Sequence, residues 1–357
     1  MGHKTFAIAL TGVLTNIAAF VPQITFAEPA FIGANACARC HAAQFRAQSR
    51  SAHALALNRA EAIAANTPLP AHAIVTRDGK FRFDIYASPD GIRATLDDGH
   101  NLMQLPCEWA FGAGRQAITF VSRVSPEWYV EHYLSYYSAT HAWSATPGQA
   151  AVHPSNIQEA AGVVYKIADP QFGIEGCFEC HATGPVSFDK EGNAHITELG
   201  VRCETCHGAG SEHARNPQTS RLKAQWSAPE MNQFCGRCHR PPAAQSARID
   251  WNYAWNVRHQ PMYLSRSACF LKSGEALSCI TCHNPHDSVM PAAADMNRKC
   301  AACHPDGKLL HASLAPGESR SNCIDCHMPR VSPQPPLRFT NHWIGIYRTG
   351  SKLVPSR

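Results

Sequence analysis

The chain is poor in charge. Asp, Glu, Lys and Arg together make up 17% of its 357 residues, against about 25% in an ordinary soluble domain. It has no repeat of fixed period, which excludes a solenoid. It has no low-complexity tract, only an extended linker at Ser332-Pro333-Gln334-Pro335-Pro336. Beyond residue 27 it has no apolar run that could cross a bilayer, which takes about twenty residues. Residues 1–27 read as an export signal. Lys4 is the basic start, Phe6 to Val21 is apolar but interrupted by Thr and Asn16, and Thr25-Phe26-Ala27 offers small residues for cleavage. After cleavage no integral span is expected, and the destination is periplasmic or extracellular.

Cysteine and histidine are abundant instead, 16 and 20 respectively. Fourteen of the cysteines fall in seven copies of Cys-x-x-Cys-His. One copy, Cys37/Cys40/His41, stands alone. Six crowd the second half: Cys177/Cys180/His181, Cys203/Cys206/His207, Cys235/Cys238/His239, Cys279/Cys282/His283, Cys300/Cys303/His304 and Cys323/Cys326/His327. Chance would supply roughly 0.04 copies of a motif that marks c-type haem attachment. The spacing has a mechanical reason. On one helical turn, residues i and i+3 share a face, so two thiols can add to the two vinyl groups along one haem edge. The histidine at i+4 then aims at the iron. A zinc site would pair two Cys-x-x-Cys units and has no use for a histidine after each. A disulfide framework would not repeat one spacing. Seven covalent haem c groups are the expected cofactors.

That expectation changes the reading of charge. The formal value is +5, and loss of the leader with Lys4 leaves +4. Seven haems add about fourteen propionates, and each ferric iron returns about one positive charge, so the oxidised holoprotein lies near about −3 and the reduced form near about −10. Nucleic acid is not an expected partner.

Along the chain, Ala42 to Asn66 is Ala-rich and reads as a helix carrying His53. Thr67-Pro68-Leu69-Pro70 breaks it. From about 71 to 140 the texture is that of strands: Phe81 to Tyr86, a turn at Ser88-Pro89-Asp90-Gly91, Ile92 to Leu96, Ala117 to Val121, and Trp128 to Tyr137. Beyond Thr146-Pro147-Gly148 the chain is loop-rich, with a short helix expected at each motif. The expected units are a leader over 1–27, the first motif and its helix over 28–70, a β-rich insert over 71–165, and a six-motif region over 166–357.

Subtracting the seven motif histidines and His3 leaves twelve that could supply a second axial ligand. His213 and His286 each follow a motif histidine too closely to cap the same iron, so each is read as reaching an adjacent one. On a continuous helix His53 would lie about 18 Å from His41, so it too is read as reaching a neighbour. His311 and His342 come next, then His259 and His153, with His141 as a substitute for His153. His72, His100, His132 and His195 read as ordinary polar residues. Cys107 and Cys269 lie outside the motifs, and a disulfide between them is the leading expectation in an exported protein.

The chain resembles the exported multihaem c-type cytochromes grouped with cytochrome c-554 and the hydroxylamine oxidoreductase lineage. The resemblance is carried by Gly33 to His41 with Ser51-Ala52-His53-Ala54, by Gly200 to His213, by Ser278 to His286, and by Cys323 to Arg330. Phe111 to Phe120 and Ser135 to Gly148 are similar to the β insert of related cytochromes. The resemblance implies bis-histidine haems in close pairs and adds weight to His53, His213 and His286. Seven motifs exceed the four of cytochrome c-554 itself, so only the broad group fits. No motif has Lys in place of its histidine, unlike the pentahaem nitrite reductases. The expected fold is mainly α and irregular, a multihaem cytochrome c fold with a β-rich insert between motifs one and two.

The expected function is electron relay through closely packed, mostly bis-His haems. The expected partners are donor and acceptor cytochromes or a quinol-oxidising complex. The rival is a haem-dependent oxidoreductase with one open iron acting on nitrite, hydroxylamine or a sulfur oxyanion. A third class is an oligomer or filament joined by a histidine of one chain on a haem of the next.

Overall fold

A computed structural model describes residues 29–64, 67–76, 78–244, 246–274, 276–287, 292–305, 322–348 and 350–356. The leader expected over 1–27, and His311, lie outside the described residues.

Alternating apolar residues build two antiparallel sheets. The first runs β1 (Leu57–Arg59), β6 (Trp109–Phe111), β7 (Ala117–Ser125), β8 (Trp128–Tyr137) and β10 (Gly162–Lys166), and β9 (Ala142–Ala145) also pairs with β8. The second runs β2 (Ile74–Val75), β3 (Arg82–Ser88), β4 (Gly91–Asp97) and β5 (Leu102–Cys107). In β3, Phe83 and Ile85 are buried while Arg82 and Tyr86 are exposed, the period of two that a half-buried strand needs. Phe83, Ile85, Ile92 and Leu96 meet Ile118, Phe120, Val130 and Leu134 in one apolar core, so the sheets pack face to face.

The first sheet is also covered on its other face. Leu57, Trp109, Val121 and Tyr129 pack there against Ile174 and Phe178. These two belong to the helix Ile174–His181, which carries motif two. Phe178 stands between the two motif cysteines and is fully buried. Trp109, Phe111, Tyr129 and Phe188 meet it edge-on with ring centres 5.1–6.2 Å away. This is the favoured geometry for aromatic rings. The sheet therefore serves as the bench on which motif two is mounted. A hairpin of β11 (Ala182–Phe188) and β12 (Ala194–Leu199) then leads to motif three.

The remaining motif helices have little protein to pack on. Cys279–Cys282, Ala293–Ala301 and Cys323–His327 have no buried residue. Helices so short are not stable alone. A smaller core of Val257, Met262, Tyr263 and Val331, with Trp251 and Trp343 against it, closes the C-terminal end. There β13 (Arg330–Val331) pairs with β14 (Phe339–Thr340). Among the described residues no helix is long and apolar enough to cross a membrane.

Three expectations are corrected. The fold is mixed helix and sheet rather than mainly helical, because both sheets form complete packed layers and hairpins recur after motifs two and seven. The stretch 42–66 is not one helix: it divides into Ala42–Gln48, β1 and Ala60–Ala64. Tertiary contacts override alanine propensity there. Ser51 is fully buried, its Oγ accepts from Ala54 N–H at 3.2 Å, and Gln48 Nε2 donates to the Val201 carbonyl at 2.8 Å. Finally, Cys107 and Cys269 are both free thiols. Cys107 is sealed in the core between the sheets, whereas Cys269 sits on the helix Ala268–Lys272 near the thiols of motifs five and six.

Candidate haem-binding site

The motifs form helical turns. In motifs one, five and six the histidine N–H donates to the carbonyl of the first cysteine at 2.9 Å, for His41, His283 and His304 alike. That i, i+4 bond puts both thiols and the imidazole on one side of the turn.

The fourteen motif cysteines are not enclosed to the same degree. Cys40, Cys238, Cys303 and Cys326 are exposed, and the other ten are half-buried. All four are the second cysteine of their motif. In motif seven the helix Cys323–His327, which carries Cys326, buries none of its residues. Cys303 follows the helix Ala293–Ala301, which is equally bare, and Cys40 lies just beyond Ala34–Ala38, where only Ala34 is buried. Motif two is the contrast. Its helix packs on the sheet through Ile174 and Phe178, and both Cys177 and Cys180 are half-buried. Exposure does not disturb the i, i+3 spacing that two thioether bonds require.

Buried polar groups then set one motif against another. Glu204, inside motif three, is 2% exposed. Its carboxylate accepts N–H bonds from Ile32, Gly33 and Gly210 at 2.7–3.1 Å. Glu198 accepts from Ala34 N–H at 3.0 Å. These acceptors take up the free N–H groups at the start of the motif-one helix, which Gly33 cannot cap with a side chain. Gly200, at φ +76, lets this segment approach: a Cβ there would lie 2.0 Å from the Ala54 carbonyl oxygen. Val201 N–H in turn donates to the His53 carbonyl at 2.8 Å.

Further along, Asn232 Oδ1 accepts from Cys279 N–H at 3.1 Å, tying motif four to motif five. Asn297 Oδ1 accepts from Cys323 N–H at 3.0 Å, tying motif six to motif seven. Both asparagines stand three residues before a motif's first cysteine. Thiols of different motifs also lie near one another: Cys37 by Cys203, Cys180 by Cys238, Cys235 by Cys279, and Cys300 by Cys323.

Four histidines outside the motifs face motif histidines. His213 faces His41 with ring centres 6.3 Å apart, and His53 faces His239 at 6.2 Å. His286 faces His207 at 6.0 Å, and His342 faces His283 at 6.1 Å. Two imidazoles on opposite sides of one metal, each nitrogen about 2 Å from it, have ring centres about 6 Å apart. The residues therefore fit a six-coordinate iron between each pair. The lacing is regular for the odd motifs: the ring facing motif one follows motif three, that facing motif three follows motif five, and that facing motif five follows motif seven.

Nδ1 is occupied on both kinds of histidine. His181, His207 and His327 donate from Nδ1 to the carbonyls of Ala56, Lys223 and Gly345 at 3.0, 2.7 and 2.8 Å. His213 and His342 do the same to Ser220 and Thr340 at 2.8 and 2.9 Å. A ring held through Nδ1 presents Nε2 to a metal, and the bond raises its basicity. Burial pushes the pKa of His239 and His342 down to about 4 and lowers those of His53, His181 and His286. A neutral ring is the form that ligates. Among the described residues no group of three or more His, Cys, Asp or Glu is gathered as a zinc site would require.

Other candidates are placed elsewhere. His259 caps the helix Gln260–Leu264, with its pKa lowered to about 4 chiefly by burial, and faces no second imidazole among the described residues. His153 is exposed. His141 occupies a turn at φ +51, and its Nδ1 lies 3.1 Å from the Tyr136 hydroxyl. His132 is no surface residue: it is buried in β8, with Nε2 2.6 Å from Ser122 Oγ. Glu204, Asn232, Asn297 and Phe178 escaped the reading of the sequence. Only the asparagines left a signal, in the shared spacing Asn-x-x-Cys-x-x-Cys-His.

Comparison with known proteins agrees with this chemistry. Residues 132–208 match the family Cytochrome c554 and c-prime, and residues 271–309 match the doubled CXXCH motif family. The chain is similar to the dissimilatory sulfite reductase MccA of Wolinella succinogenes, 23% identical over 178 residues. That match takes in 39% of this chain and 24% of the relative, so the chain spans about a quarter of that protein's length. Among solved structures, the outer cell wall cytochrome OcwA superposes with a TM-score of 0.54 at 14% identity, over 88% of this chain and 79% of that one. An undecahaem cytochrome from the S-layer of Carboxydothermus ferrireducens gives 0.42 at 15% identity, over 86% of this chain and 52% of that one. The matched stretches contain motifs two, three, five and six, and the fold is shared with a cytochrome: the chain is a multihaem c-type cytochrome.

Proposed function

We propose that the chain is an exported relay carrying seven covalent haems, most of them ligated by two histidines. The observation that carries this reading is the set of four imidazole pairs at 6.0–6.3 Å. When bound, haem iron supplies reversible one-electron chemistry. The fourteen motif cysteines would hold it, and His41, His181, His207, His239, His283, His304 and His327 would be the proximal ligands. His213, His53, His286 and His342 would be distal ligands to motifs one, four, three and five. His311, His259 and His153 remain the candidates for the others. The backbone carbonyls orient the rings, and the buried Glu204 and Asn232 fix one motif against the next. The two sheets form an insert between motifs one and two, and motifs two to seven form the conducting region. Donor and acceptor redox proteins are the partners. Export to the periplasm or beyond is supported by the residues of the leader and by the outer cell wall cytochrome whose fold the chain shares.

The test is the mass of the intact protein, read with EPR of the oxidised form. Seven haem additions and a majority of low-spin irons support the relay, and fewer additions or mainly high-spin irons overturn it.

A second reading is favoured by one observation. His181 is half-buried, its ring lies against Phe111, and no second imidazole is paired with it among the described residues. Motif two would then present an open iron to nitrite, hydroxylamine or a sulfur oxyanion, and one relative is a sulfite reductase. A high-spin signal that sulfite or nitrite converts, and that disappears in His181→Ala, selects this reading.

A further inference from the structure

Charge is distributed unevenly along the chain. Residues 328–357 contain Arg330, Arg338, Arg348, Lys352 and Arg357 and no Asp or Glu, so the whole formal charge of +5 resides in this last stretch. The rest of the chain is neutral before any haem carboxylates are added, and anionic after.

The fold gathers part of this charge. Arg330 on β13, Arg338 just before β14, and Lys352 in the tail line a groove of about 600 Å³ floored by Ala254, Val331 and Leu353. Asn341 holds the tail in place, donating from Nδ2 to the carbonyls of Lys352 and Leu353 at 2.8 and 3.0 Å. Strand pairing of Arg330 with Thr340 fixes the other wall. All three cationic side chains are exposed, and among the described residues none of them is in an ion pair. The groove adjoins motif seven. Arg330 follows His327 by three residues, and His327 is itself held by Gly345, whose carbonyl accepts from Nδ1 (2.8 Å) and whose N–H donates to the His327 carbonyl (3.2 Å).

We infer that this groove is the docking site of an acidic redox partner protein, seated beside motif seven. The inference rests on the relay reading for the partner's purpose, and on the groove alone for its chemistry. An open trough with an apolar floor and cations along its rim suits a protein surface, whose contacts divide into an apolar centre and a polar rim. A small anion would be wrapped by converging donors instead. Unpaired like charges also steer: the field of such a rim speeds encounter with an acidic protein and is screened by salt.

The experiment uses the holoprotein and two probes, flavodoxin as an acidic one-electron carrier and mitochondrial cytochrome c as a basic one. Titration calorimetry at low ionic strength reads the affinity, and stopped-flow reads the association rate. Parent protein is expected to bind flavodoxin in a salt-sensitive manner and to ignore cytochrome c. The double reversal Arg330→Glu/Lys352→Glu should weaken binding about tenfold or more, while Lys190→Glu, an exposed charge on the β11–β12 turn, should leave it unchanged. The inference is overturned if the double variant binds flavodoxin as the parent does, or if Lys190→Glu loses as much. It is equally overturned if sedimentation shows a dimer that the double variant dissolves, or if that variant shifts the reduction potentials of the protein alone, because the groove would then serve a second copy or the chain's own haem carboxylates. Haem content by pyridine haemochrome on each sample separates a failure of the relay reading from a failure of the groove.

Discussion

The rings of His207 and His286 face each other with centres 6.0 Å apart and planes 7° from parallel. The His53 and His239 rings are as close, at 6.2 Å, but inclined by 57°. The mutual angle of two axial imidazoles governs the shape of a low-spin ferric EPR signal. Motif three should give a rhombic spectrum and motif four a highly anisotropic one. His286→Ala should convert one low-spin signal, the rhombic one, to high spin and leave the anisotropic one intact. His53→Ala should do the opposite.

Glu204 joins the first motif to the third through bonds to Ile32, Gly33 and Gly210. Charge-assisted hydrogen bonds are worth about 1.5–3 kcal/mol each in a buried setting. Glu204→Ala should cost on the order of 3 kcal/mol locally and free the segment before residue 56. Limited proteolysis should then cut there first, and the low-spin signal assigned to His41 and His213 should fade. Glu204→Gln keeps one acceptor and should fall between.

His132 gives the sandwich a pH dependence. Burial holds its pKa down at about 4, against 6.5 for a free imidazole. The folded state keeps the ring neutral, while the unfolded chain takes up a proton below pH 6.5. Stability is therefore full above 6.5 and falls as pH drops toward about 4, by about 3 kcal/mol in all. Thermal melting followed by far-UV circular dichroism should show this loss, and His132→Asn should flatten it over the same interval.

Thiol chemistry checks the correction at Cys107 and Cys269. Burial pushes the Cys107 thiol up to about 12, and Cys269 is half-buried. With fourteen thiols consumed by haem, including the exposed ones at Cys40, Cys238, Cys303 and Cys326, alkylation of the native protein should label Cys269 slowly and Cys107 not at all. Denaturation without reductant should expose both. Two labels appearing only after reduction would restore the disulfide. Rapid labelling at any of the four exposed motif positions would show that its thioether bond had not formed.

The residues show how much of this could be read from the sequence. The motifs were fully legible because haem attachment is local chemistry, written into a five-residue spacing. That spacing says nothing of how deeply a thiol lies, which is why Cys303 and Cys180 look alike in sequence and differ in the fold. Strands such as Phe81 to Tyr86 were legible because period-two burial prints itself on the residues. Context singled out His53, His213, His286 and His342, yet it could not say which motif each ring would face. That depends on docking over long range: His53 meets a ring 186 positions away only because Glu204, Glu198 and Gly200 seat its segment. The same docking breaks the helix that alanine content suggests. His132 read as an ordinary polar residue, but its burial was not legible, because its partner Ser122 is supplied by the neighbouring strand.

The account stands most directly on the coordination of the irons. EPR of the oxidised holoprotein, quantified against the haem count from its intact mass, measures it. The proposed relay predicts seven haems per chain, one for each motif, with at least four bis-imidazole low-spin irons, each lost singly on replacing His213, His53, His286 or His342. Variants at these four positions that leave every low-spin signal in place would contradict it.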